Sequence, residues 1–353
     1  LWAIENGEST NHVLTPDDEK VLDLWDREAK FVDNRWHVPM PWKYGKPNFE
    51  NNVGVAKHLL DALVKRLKRD GLMQLYDKAV QKLVNKNYVE RVPEHELNLK
   101  DGSVRYLPHF HDKKRTKDGN LRIIMDAKHK VRGVSLNNQC LQGPNFMNNL
   151  AHIMLRLRQY QYIVKADIEG MYMQIRLFQE DRRSLRFLWY DANGNLIHFQ
   201  YRAHIFGGVA SGSAAGYILD RICRGDNVSE LLKTTIRRDF YVDDLAASKR
   251  TKEEIKEIIN EGGNLLRRNG LNLTEFVVND PSIANELDDT CMAPEMLDFH
   301  SADIQNCYSK TLGVRLDLRT DSFIYVSYPQ PDNFEVTQRI VLSKVHMLFD
   351  PLG

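Results

Sequence analysis

The chain has 353 residues, 42% hydrophobic and 27% charged, with a formal net charge of +1. That composition is ordinary for a soluble globular protein of about two or three lobes, and any nucleic-acid affinity must then come from local charge clustering. Four scattered cysteines (Cys140, Cys223, Cys291, Cys307) form no CxxC pair, which argues against structural zinc and a disulfide framework and for an intracellular chain. No apolar run reaches the length of a membrane span, and no signal peptide is visible. Both ends look cut, so a piece of a larger polypeptide is expected.

Residues 1–50 read as an irregular arm with one short helix after the start signal Thr15-Pro16-Asp17-Asp18. Residues 55–90 are strongly helical: Leu59, Leu60, Leu63, Val64 and Leu67 recur at helical spacing, Gly71 breaks the pattern, and Leu75, Tyr76, Ala79, Val80, Leu83 and Val84 resume it. Residues 105–107 and 121–125 are expected to pair as strands across a basic tip at 113–120. Between 113 and 132 stand eight Lys/Arg against two Asp, the one strong positive patch. A helix is expected over 146–162, and a buried strand turning helical over 163–178. A hairpin follows around Asp191-Ala192-Asn193-Gly194-Asn195, then a helix over 211–222 and an acidic hairpin over 238–248. An amphipathic helix over 252–269, strands at 271–278 and 308–328, and a loop over 279–300 complete an α+β order, an antiparallel sheet with helices on one face.

The chemistry centres on Tyr241-Val242-Asp243-Asp244. Adjacent carboxylates after an apolar run are costly in a strand unless something positive sits beside them. A tight hairpin presenting both to a divalent cation is one solution. Asp167, closing the apolar run from Ile163, is the expected third carboxylate. Asp167 and Asp243, with Asp244 beside them, can hold two hard cations through oxygen, an arrangement suited to phosphoryl transfer. A lone Asp-Asp is more often a solvated turn, and a lone Asp after an apolar run is often a helix cap.

Together these segments resemble the reverse transcriptases of long-terminal-repeat retroelements, most closely the Bel/Pao group. Leu141-Gln142-Gly143-Pro144-Asn145 is similar to that group's L-x-G-P-D/N segment. Asp167 through Ile175 resembles polymerase motif A, Phe206-Gly207 through Ser211 motif B, and Tyr241 through Asp244 motif C. Leu271 through Thr274 resembles motif D, and Thr311-Leu312-Gly313-Val314 the motif E primer grip. The resemblance spans roughly residues 80–353. It implies a right-hand polymerase fold: an arm (1–54), fingers (55–162), palm (163–328) and the start of a thumb or connection (329–353).

The resemblance also implies RNA-directed DNA polymerase activity with Mg²⁺, or Mn²⁺ in its place, held by Asp167, Asp243, Asp244 and Ile168. Its partners would be an RNA/DNA template-primer, dNTPs and the other Pol polyprotein domains (protease, RNase H, integrase), in the cytoplasm and in virus-like particles, with no membrane. Tyr172 would gate the sugar, Arg122 would contact the triphosphate, and Phe206 and Gly207 would lie against the nascent pair. Lys113, Lys114, Arg115 and Lys117 would supply further triphosphate or template contacts, and Leu312 and Gly313 would grip the primer. Two departures stand out: Gly212 follows Ser211 where proline is usual in motif B, which should loosen the turn, and Glu275 stands where motif D carries lysine. They keep a second expectation open, a retroelement relic that binds nucleic acid without polymerising.

Overall fold

The computed structural model describes residues 14–112 and 121–288, with short stretches beyond (290–293, 296, 308–312, 314–317, 322–324, 337–339 and 342). Helix α1 (Pro16–Glu28) begins at the expected cap: the Thr15 hydroxyl accepts from the Asp18 amide, and the Asp18 carboxylate accepts from the Thr15 amide. A hairpin follows inside the supposedly irregular arm. Its strands β1 (Lys30–Val32) and β2 (Arg35–His37) are joined by Asp33 and Asn34, both left-handed (φ 51° and 56°), as a two-residue primed turn requires. Helices α2 (Val53–Arg69) and α3 (Met73–Asn85) break at Gly71, whose φ of +67° ends the first.

Strand β3 (Val89–Arg91) precedes the hairpin β4 (His109–His111) and β5 (Ile123–Met125). The expected partner of 121–125 was 105–107; the observed partner is β4, and Tyr106 instead bridges Arg186. Helix α4 (Leu136–Gln139) is one turn, and α5 (Leu150–Leu157) is shorter than the 146–162 span expected. Next come β6 (Tyr162–Ile168), the short helices α6 (Met171–Gln174) and α7 (Gln179–Arg182), the hairpin β7 (Arg186–Tyr190) and β8 (Leu196–Tyr201), and α8 (Ser211–Cys223). Helix α9 (Glu230–Arg238) leads into β9 (Phe240–Tyr241) and β10 (Asp244–Lys249). The expected 252–269 helix is α10 (Lys252–Glu257), a π turn (Ile258–Gly262) and α11 (Gly263–Arg268). Strand β11 (Leu273–Val278), one turn of helix α12 (Pro281–Ala284) and the strands β12 (Tyr308–Thr311), β13 (Val314–Asp317) and β14 (Ser322–Ile324) close the sequence of elements.

The chain divides into two compact units. The first comprises residues 1–146 and 172–217 and holds the sheet β3-β8-β7. Its core gathers Leu60, Leu63, Leu67, Tyr76, Val80, Phe187, Trp189 and Tyr201. His109 is buried there as a structural group: the Tyr76 hydroxyl lies 2.5 Å from its Nδ1, and its Nε2 lies 2.9 Å from the Leu188 carbonyl. The arm is part of this unit, because Trp25 packs on Tyr217, whose hydroxyl donates to Asp26. The Leu141–Asn145 segment passes close by: a Cβ on Gly143 (φ +80°) would lie 2.6 Å from Ser213 Oγ and 3.0 Å from Val21. Only glycine fits that position.

The second unit comprises residues 147–171 and 218–353 and holds the antiparallel sheet β11-β6-β10-β9. Ile163, Val164, Ala166 and Ile168 of β6 and Leu245, Ala246 and Ala247 of β10 are buried, leaving the acidic residues at the strand ends.

Candidate active site

The acidic residues of the second unit meet at one end of the sheet. In the β6–β10 ladder Asp167 is the direct partner of Asp244, so the two Cβ atoms project from the same face. Asp167 is half-buried and Asp244 exposed. Tyr241 pairs with Asp244, which makes Val242 and Asp243 a two-residue turn. Val242 has φ +59°, a costly conformation for a β-branched residue. The turn is fastened to the end of β6 by the Ile168 amide, which donates to the Asp243 carbonyl at 3.0 Å. On the other flank Thr274 pairs with Asp167, and its hydroxyl donates to the Asp167 carbonyl at 3.4 Å.

The three carboxylates therefore come from adjoining strand ends, as the sequence implies. Their all-oxygen chemistry suits a hard divalent cation. Among the described residues, however, no three His, Cys, Asp or Glu side chains stand together as a finished cation cage. The Ile168 side chain is a buried hydrocarbon with no ligating atom, so only its main-chain carbonyl is of a type to ligate.

Glu275 has φ +54° and sits where the β11–β6 register slips between Thr274 and Val277. It is a bulge residue, so its side-chain direction does not follow from strand alternation. Sequence periodicity gave no sign of this.

The proposed nucleotide-contact residues that are described lie in the first unit. The Tyr172 and Phe206 rings meet edge-on at 4.9 Å, and the Arg122 guanidinium lies 5.8 Å from the Phe206 ring centre. Arg122 sits one residue before β5, not within a strand. Gly207 has φ +91°, and a Cβ there would lie 3.2 Å from the Met125 carbonyl. Asn137, which the sequence reading passed over, holds this loop twice: its amide donates to the Gly207 carbonyl (2.9 Å) and its oxygen accepts from the Val209 amide (3.0 Å). The turn before α8 is not loose despite Gly212, because the Ser211 hydroxyl donates to the Ile205 carbonyl at 2.7 Å. Lys113, Lys114, Arg115 and Lys117 lie outside the described residues, as does Gly313. Leu312 is described, at φ +47° in the turn between β12 and β13.

Three aspartates are thus presented by a strand end and a hairpin turn on an α+β frame. The profile of the family "Reverse transcriptase (RNA-dependent DNA polymerase)" matches residues 68–275, more than half of the chain, and the chain belongs to that family. The structure is also similar to prototype foamy virus protease-reverse transcriptase, at 13% identity and TM-score 0.42 over 72% of this chain and 29% of that one. A foamy viral protease-reverse transcriptase in complex with RNA/DNA hybrid is similar at 12% identity and TM-score 0.46, over 87% and 34%. One in complex with double-stranded DNA is similar at 13% identity and TM-score 0.42, over 76% and 42%. The chain thus spans about a third of the length of these structures. No curated protein matches it. Among the described residues, no helix is long and apolar enough to cross a membrane.

Proposed function

We propose that this chain is the polymerase region of a retroelement Pol polyprotein of the Bel/Pao type, extending a primer 3′-hydroxyl with dNTPs on an RNA or DNA template. The observation that carries this is the pairing of Asp167 with Asp244 beside a turn whose Asp243 carbonyl is held by the Ile168 amide. Asp167, Asp243 and Asp244, with the Ile168 carbonyl, would hold Mg²⁺ or Mn²⁺. When bound, the metal supplies activation of the primer hydroxyl and charge neutralisation at the leaving pyrophosphate. Arg122 suits the triphosphate because a guanidinium makes paired, charge-assisted hydrogen bonds to phosphate oxygens. Tyr172, braced edge-on by Phe206, presents a rigid ring to the sugar and would exclude a ribose 2′-hydroxyl. The division into arm, fingers, palm and thumb at 54, 162 and 328 belongs to the same proposal, as do the primer grip at Leu312 and Gly313, cytoplasmic particles and neighbouring Pol domains.

A second reading, a relic that binds nucleic acid without extending it, draws on Glu275 in the place of the motif D lysine. Primer extension on poly(rA)/oligo(dT) with Mg²⁺ or Mn²⁺ separates the two, with Asp243→Asn as control. Metal-dependent extension lost in the variant supports the polymerase. Duplex binding without extension under either metal supports the relic.

A further inference from the structure

The first unit carries a concentration of cations to which no role is assigned above. Lys30, Arg35 and His37 come from the β1–β2 hairpin, Arg176 from the segment after α6, Arg182 from α7, and Arg202 directly follows β8. Arg176 and Arg182 are buried, at 7% and 8% exposure, while Lys30, Arg35 and Arg202 reach the surface. Asn87, itself left-handed (φ 57°), offers its carbonyl to Arg176 (2.6 Å) and its side-chain oxygen to Arg202 (2.5 Å). Glu90 takes Arg182 at 3.1 Å and Arg202 at 3.4 Å. Lys30 lies 4.8 Å from the Phe178 ring, on which His37 stacks.

Among the described residues, these five cations have few carboxylates paired to them. Glu90 is shared between two arginines, and Asp33 belongs to the hairpin turn. Asp181, beside Arg182, accepts instead from the Met40 amide and the Trp42 indole. Arg35 Nε is buried with no hydrogen-bond partner. The crowding is felt at Arg176, whose pKa falls to about 10 through burial and then through Arg202 and Arg35. Like charges held together at this cost, with an unused guanidinium donor among them, mark a place built for an anion.

We propose that Lys30, Arg35 and Arg202, backed by the buried charges of Arg176 and Arg182 (the latter held by the Leu177 carbonyl and Glu90), form a binding site for a backbone phosphate of a nucleic-acid strand. Planar guanidinium forks match phosphate oxygens, and the reachable rim of Lys30, Arg35 and Arg202 lets a strand pass while the buried pair fixes the field. The preference for nucleic acid over an acidic peptide rests on the polymerase reading. Lys30 and Arg35 lie outside the 68–275 match, whereas Arg176, Arg182 and Arg202 lie within it, so the contact joins the arm to the segment common to the family.

The test is the salt dependence of binding to a fluorescent RNA/DNA hybrid, read by anisotropy across a KCl series for wild type, Arg35→Ala, Arg202→Ala and the double variant. Both arginines are partly exposed, and thermal melting verifies that each variant folds. Each substitution should make the log–log salt slope shallower by about 0.7–0.9 and weaken binding alike for different sequences. Unchanged slopes in folded variants overturn the site while leaving the polymerase reading intact. Wild type binding no hybrid at all removes both. Inorganic phosphate raising the melting temperature of wild type only, with slopes unchanged, would assign the cluster to small phosphates and overturn the strand contact. Loss of binding to an acidic peptide but not to the hybrid would overturn it in favour of a protein partner.

Discussion

Asp167 and Asp244 are direct cross-strand partners at the end of an antiparallel pair, two carboxylates set side by side on one sheet face. Like charges directly opposite one another in a ladder are destabilising, by roughly 0.2–1 kcal/mol. A cation between them reverses the sign. Mg²⁺ should therefore raise the melting temperature of wild type more than that of Asp244→Asn. Primer extension should fall at least a hundredfold in the same variant. An equal Mg²⁺ shift in wild type and variant would show that the pair holds no cation.

The motif B turn invites a contrast between two glycines of α8. A Cβ on Gly212 would meet only the Tyr172 hydroxyl, at 3.8 Å, an ordinary contact. Gly212→Ala should then stabilise by about 0.5–1 kcal/mol, the usual gain for removing a helical glycine. A Cβ on Gly216 would lie 2.4 Å from the Cβ of Phe146, and Gly216→Ala should destabilise by about 1–3 kcal/mol. Denaturant midpoints of the two variants check the opposite signs.

Much of this was legible because it rests on local chemistry. The Thr15 cap, the break at Gly71 and the acidic hairpin follow from residue types whose backbone preferences are strong. What escaped depended on partners distant in sequence. Alternation marked Tyr106 as strand-like, yet nothing local said that its neighbour would be Arg186. The β1–β2 hairpin hid behind charged and aromatic residues that look irregular, with Asp33-Asn34 as its one turn signal. Asn137 is an unremarkable asparagine until Gly207 and Val209 are brought to it. The three aspartates were identifiable by motif, but their exact register was not.

Glu275 offers a cleaner experiment than its sequence position suggested. Its left-handed backbone is equally unfavourable for glutamate and lysine, so Glu275→Lys changes charge without changing conformational cost. An amine there can neutralise charge or donate a proton as pyrophosphate leaves, whereas a carboxylate adds repulsion. Glu275→Lys should extend primers faster in single-turnover assays. No gain at any pH would remove Glu275 from the catalytic account.

The buried titratable groups of the first unit set an acid limit whose sign can be worked out. Burial pushes His109 and His204 down to about 4, so in the window from roughly pH 4 to 6 the unfolded chain binds a proton at each that the folded chain does not. Asp181 works the other way. Burial raises it to about 6, and the folded chain keeps a proton there that the unfolded chain releases. The balance is an excess of about one proton in the unfolded state, so stability should rise by about 1.4 kcal/mol per pH unit across this window. His37 and His198, both lowered first by burial, add in the same direction. Asp181→Asn should lower stability throughout, because the amide presents a donor to either the Met40 amide or the Trp42 indole, which both donate to Asp181 now. It should also steepen the pH slope to about 2.7 kcal/mol per unit, since the opposing group is gone. Urea denaturation at several pH values within the window measures both slopes. A variant slope equal to or shallower than that of wild type would mean that Asp181 is ionised in the folded chain.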